Sequence, residues 1–139
     1  MMLTDRPRTA APVELEELLA RCVGKMDFVQ RVLDRFMACF GEDIDRLERH
    51  FQFQQPEELA RVAHAMKGAA GSVAAHGLEE HVAGIEQMAR TRQLQDFSSR
   101  LVQLREEWSR VSESVSAIGA GGDLRPAVSA REVAITRGA

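Results

Sequence analysis

The sequence is poor in the residues that build β-sheets and in those that interrupt helices. Its 139 residues include no tyrosine and only four prolines, and no run alternates β-branched with polar residues as a half-buried strand would. Leu, Ala, Glu, Gln and Arg dominate, and these residues form helices readily. With 45% hydrophobic and 28% charged residues, the chain has the composition of a folded protein. We therefore expect one all-α domain.

Cysteine and long apolar runs are also scarce. Cys22 and Cys39 stand seventeen residues apart, which excludes a CxxC redox or zinc pattern, and we expect both thiols to be reduced and near the core. No stretch of about 18 apolar residues occurs, and the N-terminus lacks the apolar centre of a secretory signal. The net charge is −3 with both signs interspersed, unlike a nucleic-acid-binding surface. We expect a cytoplasmic protein that binds neither membranes nor nucleic acid.

Apolar residues recur at intervals of three and four along most of the chain, which predicts helices. Pro12 opens a short first helix, residues 26–51 form a long second one, and Pro56 followed by two glutamates starts a third. A fourth helix is predicted over about 78–90 and a fifth over about 94–115. Because short connections favour antiparallel neighbours, the prediction is an antiparallel four-helix bundle with a short additional N-terminal helix.

The two ends of the chain differ from its middle. Residues 1–11 are predicted to be a loose arm, and residues 12–116 carry the bundle. After Ile118 the cluster GAGGDLRP contains several turn-forming residues, so residues 117–139 are predicted to be an irregular C-terminal tail. The separate arm and tail favour a free-standing protein over a piece of a larger kinase.

The third helix contains an unusual stretch, HAMKGAAG, over residues 64–71. Each of its two glycines costs a helix interior about 1 kcal/mol relative to alanine. At about 100° per residue, one side of the helix carries the apolar stripe Leu59, Val62, Met66 and Val73, flanked by Ala63 and Ala70. The opposite, outward side carries Glu57, Ala60, His64, Lys67, Gly68 and Gly71.

A helix face cleared around an exposed imidazole suggests that a partner approaches it closely. Neutral imidazole offers a nucleophilic nitrogen, and Lys67 supplies a positive charge that would partly offset a phosphoryl group. Bulky side chains at Gly68 and Gly71 would obstruct the in-line access that phosphoryl transfer requires. His64 is therefore the candidate phosphoryl acceptor, with Lys67 neutralising the phosphate charge. Gly68, Gly71 and Ala60 are predicted to leave room for the partner.

The longer stretch HAMKGAAGSVAAHGL resembles the signature of the histidine-containing phosphotransfer (HPt) domains of two-component phosphorelays. His64 matches the phosphorylated histidine, and Lys67 and Gly68 match the Lys-Gly pair that follows it. Residues 69–73 match the small and apolar positions, and Leu78 matches the closing leucine. The stretches FMACFGEDIDRL and HVAGIEQMARTRQLQDFSSRL resemble the neighbouring helices, so most of the predicted bundle shares the resemblance.

The resemblance implies a signalling carrier with no reaction cycle of its own. A receiver domain, on a response regulator or a hybrid sensor histidine kinase, would pass the phosphoryl group of its aspartyl phosphate to His64, at Nε2. A second receiver would then accept it. The resemblance implies no cofactor on this chain, magnesium only on the receiver, and neither ATP binding nor kinase activity. We expect a monomer.

Ala74 departs from the family pattern, which usually has a glycine ten residues after the histidine. Gly77 follows three residues later, and we expect it to make the turn instead. The departure leaves the phosphorylation site itself unaffected.

Other interpretations of the same face stay open. The glycines would also let another helix pack closely, which predicts a dimer through this face and a non-catalytic helical adaptor or scaffold. His64 would then be an ordinary surface histidine. His76 and His81 are five residues apart, not at the spacing of three or four that places two metal ligands on one helix face. We expect no metal site and a solvated His81.

Overall fold

The computed structural model describes residues 11–121, and this part of the chain contains only helices. Their bounds are Leu15–Arg21 (α1), Met26–Gln52 (α2), Pro56–Ser72 (α3), His76–Arg90 (α4) and Phe97–Gly121 (α5). The predicted all-α fold is confirmed, as are the starts of α2 and α3. The arm up to residue 10 and the tail beyond residue 121 lie outside the described residues.

The four long helices enclose one core, with α2 against α3, α3 against α4, α4 against α5, and α5 back against α2. Each helix contributes apolar side chains that are almost completely removed from water, and this burial is the main force that holds the bundle together. The large, fully buried side chains include Phe40, Ile44 and Leu47 of α2, Leu59 and Met66 of α3, Leu78 and Ile85 of α4, and Phe97 and Leu104 of α5.

The apolar spacing at the start of α2 predicts an inward face through Phe28 and Val32, but the structure buries a different one. Phe28 is 44% exposed and lies beneath the guanidinium of Arg31, and Val32 is only half-buried. Val29 and Leu33 are buried in their place. Together with Phe36 they continue the three-and-four spacing of the later core residues, whereas a stripe through Phe28 would need four successive steps of four, from residue 28 to residue 44.

Gly41 lies in α2 against Trp108, the only tryptophan of the chain. A Cβ at Gly41 would lie 3.4 Å from Cζ2 of Trp108. The indole stacks on Phe40 with ring centroids 5.2 Å apart and meets the edge of Phe36 at 6.0 Å. The indole of α5 thus packs directly against α2, and a Cβ at Gly41 would make ordinary contact with it.

Four helix ends share one geometry. The residue after each cap has a positive φ between 54° and 60°, and the next amide donates to a carbonyl five residues back, as in a Schellman motif. These left-handed positions are Val23, Gln54, Ala74 and Arg92. Glycine is the usual occupant because other residues pay about 1–2 kcal/mol for this conformation. The prediction that Gly77 replaces the missing family glycine is wrong: Ala74 makes the turn itself, and Gly77 lies in the first turn of α4.

Helix α1 holds the end of α3. The amide of Glu14 donates to the carbonyl of Ala74 at 2.9 Å, and Nη1 of Arg21 donates to the carbonyls of Gly71 and Ser72 at 2.6 and 3.1 Å. These contacts add hydrogen-bond donors to carbonyls at the end of α3, where a helix lacks the donors of a following turn. The histidine-bearing helix is thus fixed by a segment that precedes the bundle in sequence.

The ends of the other elements also differ from the prediction. Helix α5 begins at Phe97 and runs to Gly121, so residues 117–121, assigned to the tail, are helical. Ala117 and Ile118 are buried. Cys22 is buried as expected, but Cys39 is exposed. None of the described helices is long and apolar enough to cross a membrane.

Candidate functional site

His64 lies near the middle of α3, with 63% of its side chain exposed. Its Nδ1 is 3.0 Å from Oε2 of Glu86, which projects from α4. An ionised carboxylate can only accept a hydrogen bond, so Nδ1 carries the proton in this contact. In the neutral ring the lone pair is then on Nε2. The fold therefore selects one tautomer and presents Nε2 as the free nitrogen.

Glu86 is the centre of the site and is only 6% exposed. Its Oε1 accepts from Nζ of Lys67 at 3.1 Å, and its Oε2 accepts from Nε and Nη2 of Arg90 at 2.8 and 2.6 Å. Burial raises the pKa of Glu86, but the hydrogen bonds from Arg90, Lys67 and His64 outweigh it and lower the pKa from 4.5 to about 2. The carboxylate is thus ionised at any physiological pH.

Sequence reasoning did not identify Glu86, although a signal was present. The apolar stripe of α4 passes through Leu78 and Val82, and a further step of four arrives at Glu86, beside the buried Ile85. Glutamate is almost never buried unless it is paired. An acidic residue on a core stripe therefore indicates a buried ionic contact on the neighbouring helix.

Lys67 contacts the histidine indirectly. A lysine three residues after His64 on a helix is predicted to reach the ring, but Nζ lies 3.1 Å from Oε1 of Glu86, so one carboxylate separates the two groups. The side chain is 37% exposed and remains close to the surface. In this state its charge is balanced by Glu86.

The three small residues predicted to make room for a partner have different surroundings. Gly68 is exposed, and a Cβ there would meet nothing within 4 Å, as predicted. Gly71 is half-buried, and a Cβ there would lie 3.0 Å from Oε2 of Glu79, so it makes room for a side chain of α4 instead. Ala60 is 7% exposed and therefore does not lie on the open face. Only Gly68 clears the surface beside His64.

The reason is that α3 is rotated relative to the predicted stripe. Val62 is only half-buried, whereas Ala63 and Ala70 are completely buried. The buried side of α3 consists of Leu59, Ala60, Ala63, Met66 and Ala70. Alanine on this side lets α3 and α4 approach closely, which brings Glu86 within reach of His64.

A concavity of about 460 Å³ lies beside His64, between the first half of α3 and the end of α4. Ala60 and Ala89, both buried, are among its lining residues. The complete lining is Pro56, Glu57, Ala60, Arg61, His64, Ala89, Arg90 and Arg92.

The other histidines have structural contacts. Nδ1 of His50 lies 2.7 Å from the amide oxygen of Gln55, and His76 lies between the carboxylates of Glu17 and Glu79, at 2.9 and 2.8 Å. His81 is half-buried and accepts from Nη1 of Arg100 at 3.2 Å, contrary to the expected solvated role.

Burial lowers the pKa of His81, and the neighbouring guanidinium of Arg100 lowers it further. Among the described residues, no group of three or more His, Cys, Asp or Glu side chains is arranged to hold a metal ion.

Comparison with known proteins identifies the family. Neither the curated proteins nor the solved structures gave a significant match to this chain. A family model of the Hpt domain does match, over residues 31–114. Hpt domains are phosphocarriers of two-component phosphorelays, in which a histidine bears the phosphoryl group. Since the match covers α3, α4 and most of α2 and α5, the chain belongs to the Hpt domain family.

Proposed function

We propose that His64 is the phosphoryl-bearing residue of this Hpt domain, and that it accepts the group from an aspartyl phosphate on one receiver domain and passes it to another. The observation that carries the proposal is the contact between Nδ1 of His64 and the buried carboxylate of Glu86. It holds the ring in the tautomer whose Nε2 is nucleophilic, while the side chain remains mostly exposed.

In the transfer step, the lone pair of Nε2 attacks phosphorus in line with the acyl phosphate. The new Nε2–P bond forms as the bond between phosphorus and the aspartyl oxygen breaks, and that oxygen leaves with the electron pair as a carboxylate. The proton on Nδ1 stays in its hydrogen bond to Glu86, which stabilises the positive charge that develops on the ring. Transfer to the second receiver is the reverse of this step.

Catalysis of phosphoryl transfer depends mainly on the positioning of the reacting groups and on the neutralisation of their charge. Lys67 and Arg90 both form ion pairs with Glu86, so two cations lie beside the carboxylate that contacts the reacting ring. We propose that they offset the charge of the phosphorylated imidazole, as first suggested for Lys67. Any magnesium would belong to the receiver, and this chain would need no cofactor. We also propose that the protein is a monomer and acts in the cytoplasm.

The experiment is phosphoryl transfer from a labelled receiver domain of the source organism. Wild-type protein should take up label that is lost in acid and kept in base, as a P–N bond requires, and His64→Gln should take up none. His50→Gln is the matched control, since His50 contacts only a neighbouring amide among the contacts described above. Equal labelling of His64→Gln and wild type would contradict the proposal, and intact signalling by His64→Gln in cells would favour the adaptor role.

A further inference from the structure

The concavity beside His64 carries an excess of positive charge in a chain whose net charge is −3. Its lining includes three arginines and one glutamate. We call this feature the arginine cleft, defined by Pro56, Glu57, Ala60, Arg61, His64, Ala89, Arg90 and Arg92. His64 is itself part of the lining, so a partner docked in the cleft lies beside the imidazole.

Two of the arginines are available for an incoming anion. Arg61 is 76% exposed, and its nearest carboxylate, on Glu58, is 3.9 Å away. Arg92 is 62% exposed and is paired with Glu57, itself 75% exposed, at 3.0 Å. Exposed pairs of this kind contribute little to stability, so either guanidinium can exchange its partner at small cost. Arg90, in contrast, is committed to the buried Glu86.

Guanidinium groups bind carboxylates and phosphates, because their paired N–H donors match two oxygens of either group. The transferred phosphoryl group has to lie over Nε2, so the anions left for the cleft are carboxylates of the partner. The cleft is also a recess rather than a flat surface, so it can receive side chains that project from a partner. The small side chains of the buried alanines make the cleft deep, and the arginines around it are positively charged.

We infer that the arginine cleft docks an acidic segment of the receiver domain, one that lies next to the phosphorylated aspartate. This inference rests on the proposed function, since it names what the donor or acceptor must present beside its reactive group. Carboxylates of the receiver pair with Arg61 and Arg92 while its phosphoryl group lies over Nε2. The cleft thus selects among receivers by charge, whereas His64 and Glu86 perform the chemistry on whichever receiver docks.

The test compares transfer from one phosphorylated receiver to wild type and to the double variant Arg61→Gln, Arg92→Asn. Asparagine suits position 92 because it tolerates the left-handed backbone that Arg92 adopts, with φ 57°. The control is Arg105→Gln, which removes an arginine that pairs with Asp45 and Glu48, away from the cleft. Circular dichroism checks the fold of each protein, and phosphoramidate, a small phosphoryl donor, reports the reactivity of His64 without docking.

The double variant should need about tenfold more receiver for half-maximal rate, because complementary charges mainly speed association. The rate at saturating receiver should change little, and the double variant should respond less to added salt. Arg105→Gln should behave as wild type. If wild type is active and the double variant has the same half-saturating receiver concentration, the docking inference is wrong while the proposed function stands. No transfer to wild type from any receiver would overturn the proposed function, and this inference with it.

Discussion

At the scale of single residues, the carboxylate of Glu86 sets the state of the imidazole. It accepts from Nδ1 of His64, from Lys67 and from Arg90, and it does so from a position that is nearly closed to water. A carboxylate buried with one partner would cost more in desolvation than the contact returns, but three donors reverse this balance. Glu86 is therefore a positioning residue that both orients the ring and holds two cations beside it.

Glu86→Gln should change how stability depends on pH. The carboxyl has a pKa of about 2 in the folded protein against an ordinary 4.5, so its pairs contribute fully above about pH 4.5 and are lost as the pH falls toward 2. At pH 6 the variant should have a lower free energy of unfolding than wild type. At pH 3 this difference in unfolding free energy should be smaller by about 1–2 kcal/mol. Urea unfolding at both pH values measures this. A gap that is independent of pH would show that the carboxylate is not held ionised by these contacts.

Gly68→Gln separates access from stability. Since nothing lies within 4 Å of a Cβ at this position, the variant should fold at least as well, with a gain of up to about 1 kcal/mol in unfolding free energy. Phosphotransfer should slow because the new side chain stands where the partner approaches His64. Ala69→Gln is the matched control, exposed on another side of the same helix. If both variants transfer at the wild-type rate, Gly68 does not serve partner access.

At the scale of helices, none of the four Schellman motifs has glycine at its left-handed position. Each therefore loses some stability, which a glycine substitution can restore. Val23→Gly should raise the free energy of unfolding by about 0.5–1 kcal/mol, because a β-branched residue with φ 57° is relieved and its side chain, 79% exposed, buries little. Ala74→Gly is the comparison at φ 60°, and it should gain less, since its methyl group is completely buried. Thermal and urea unfolding measure both. Destabilisation by Val23→Gly would contradict this account.

The helices were more predictable than their faces. The start of α3 follows from Pro56 and two glutamates in the first turn, which act locally, and the structure begins α3 there. The rotation of α3 could not be predicted from the sequence. Val62 is more hydrophobic than Ala63 or Ala70 and is therefore predicted to lie in the core, but the close approach of α4 favours burying the smaller alanines. The pairing of His64 with Glu86 spans 22 residues, and no local rule connects them. The stretch proposed to accept the phosphoryl group could be recognised because residues 64–71 lie within one helix.

At the scale of the whole molecule, the fold is larger than the segment that matches the family. Residues 31–114 omit α1 and the end of α5, but both contribute to the core. Leu15 and Leu18 of α1 are 3% and 1% exposed, and Val115 and Ile118 of α5 are 8% and 6% exposed. The cooperative unit therefore extends beyond the matched residues at both ends.

A chain ending at residue 114 should be less stable than one ending at residue 121. The shorter chain lacks Val115 and Ile118, whose burial is worth about 3–5 kcal/mol in total. Urea unfolding followed by the fluorescence of Trp108 compares the two, since both chains keep this residue of α5, whose indole packs against Phe36 and Phe40 of α2. Equal midpoints would mean that the last turns of α5 do not stabilise the bundle.

The ion pair between Lys67 and Glu86 also supplies a spectroscopic probe at the site. The chain has only two lysines, Lys25 and Lys67, among its 18 basic residues, so reductive methylation with ¹³C-formaldehyde labels two side chains besides the terminal amine. Lys67 lies on the carboxylate that contacts His64, whereas Lys25 precedes α2. A single two-dimensional NMR spectrum therefore contains one resonance at the proposed phosphorylation site and one that serves as its internal reference.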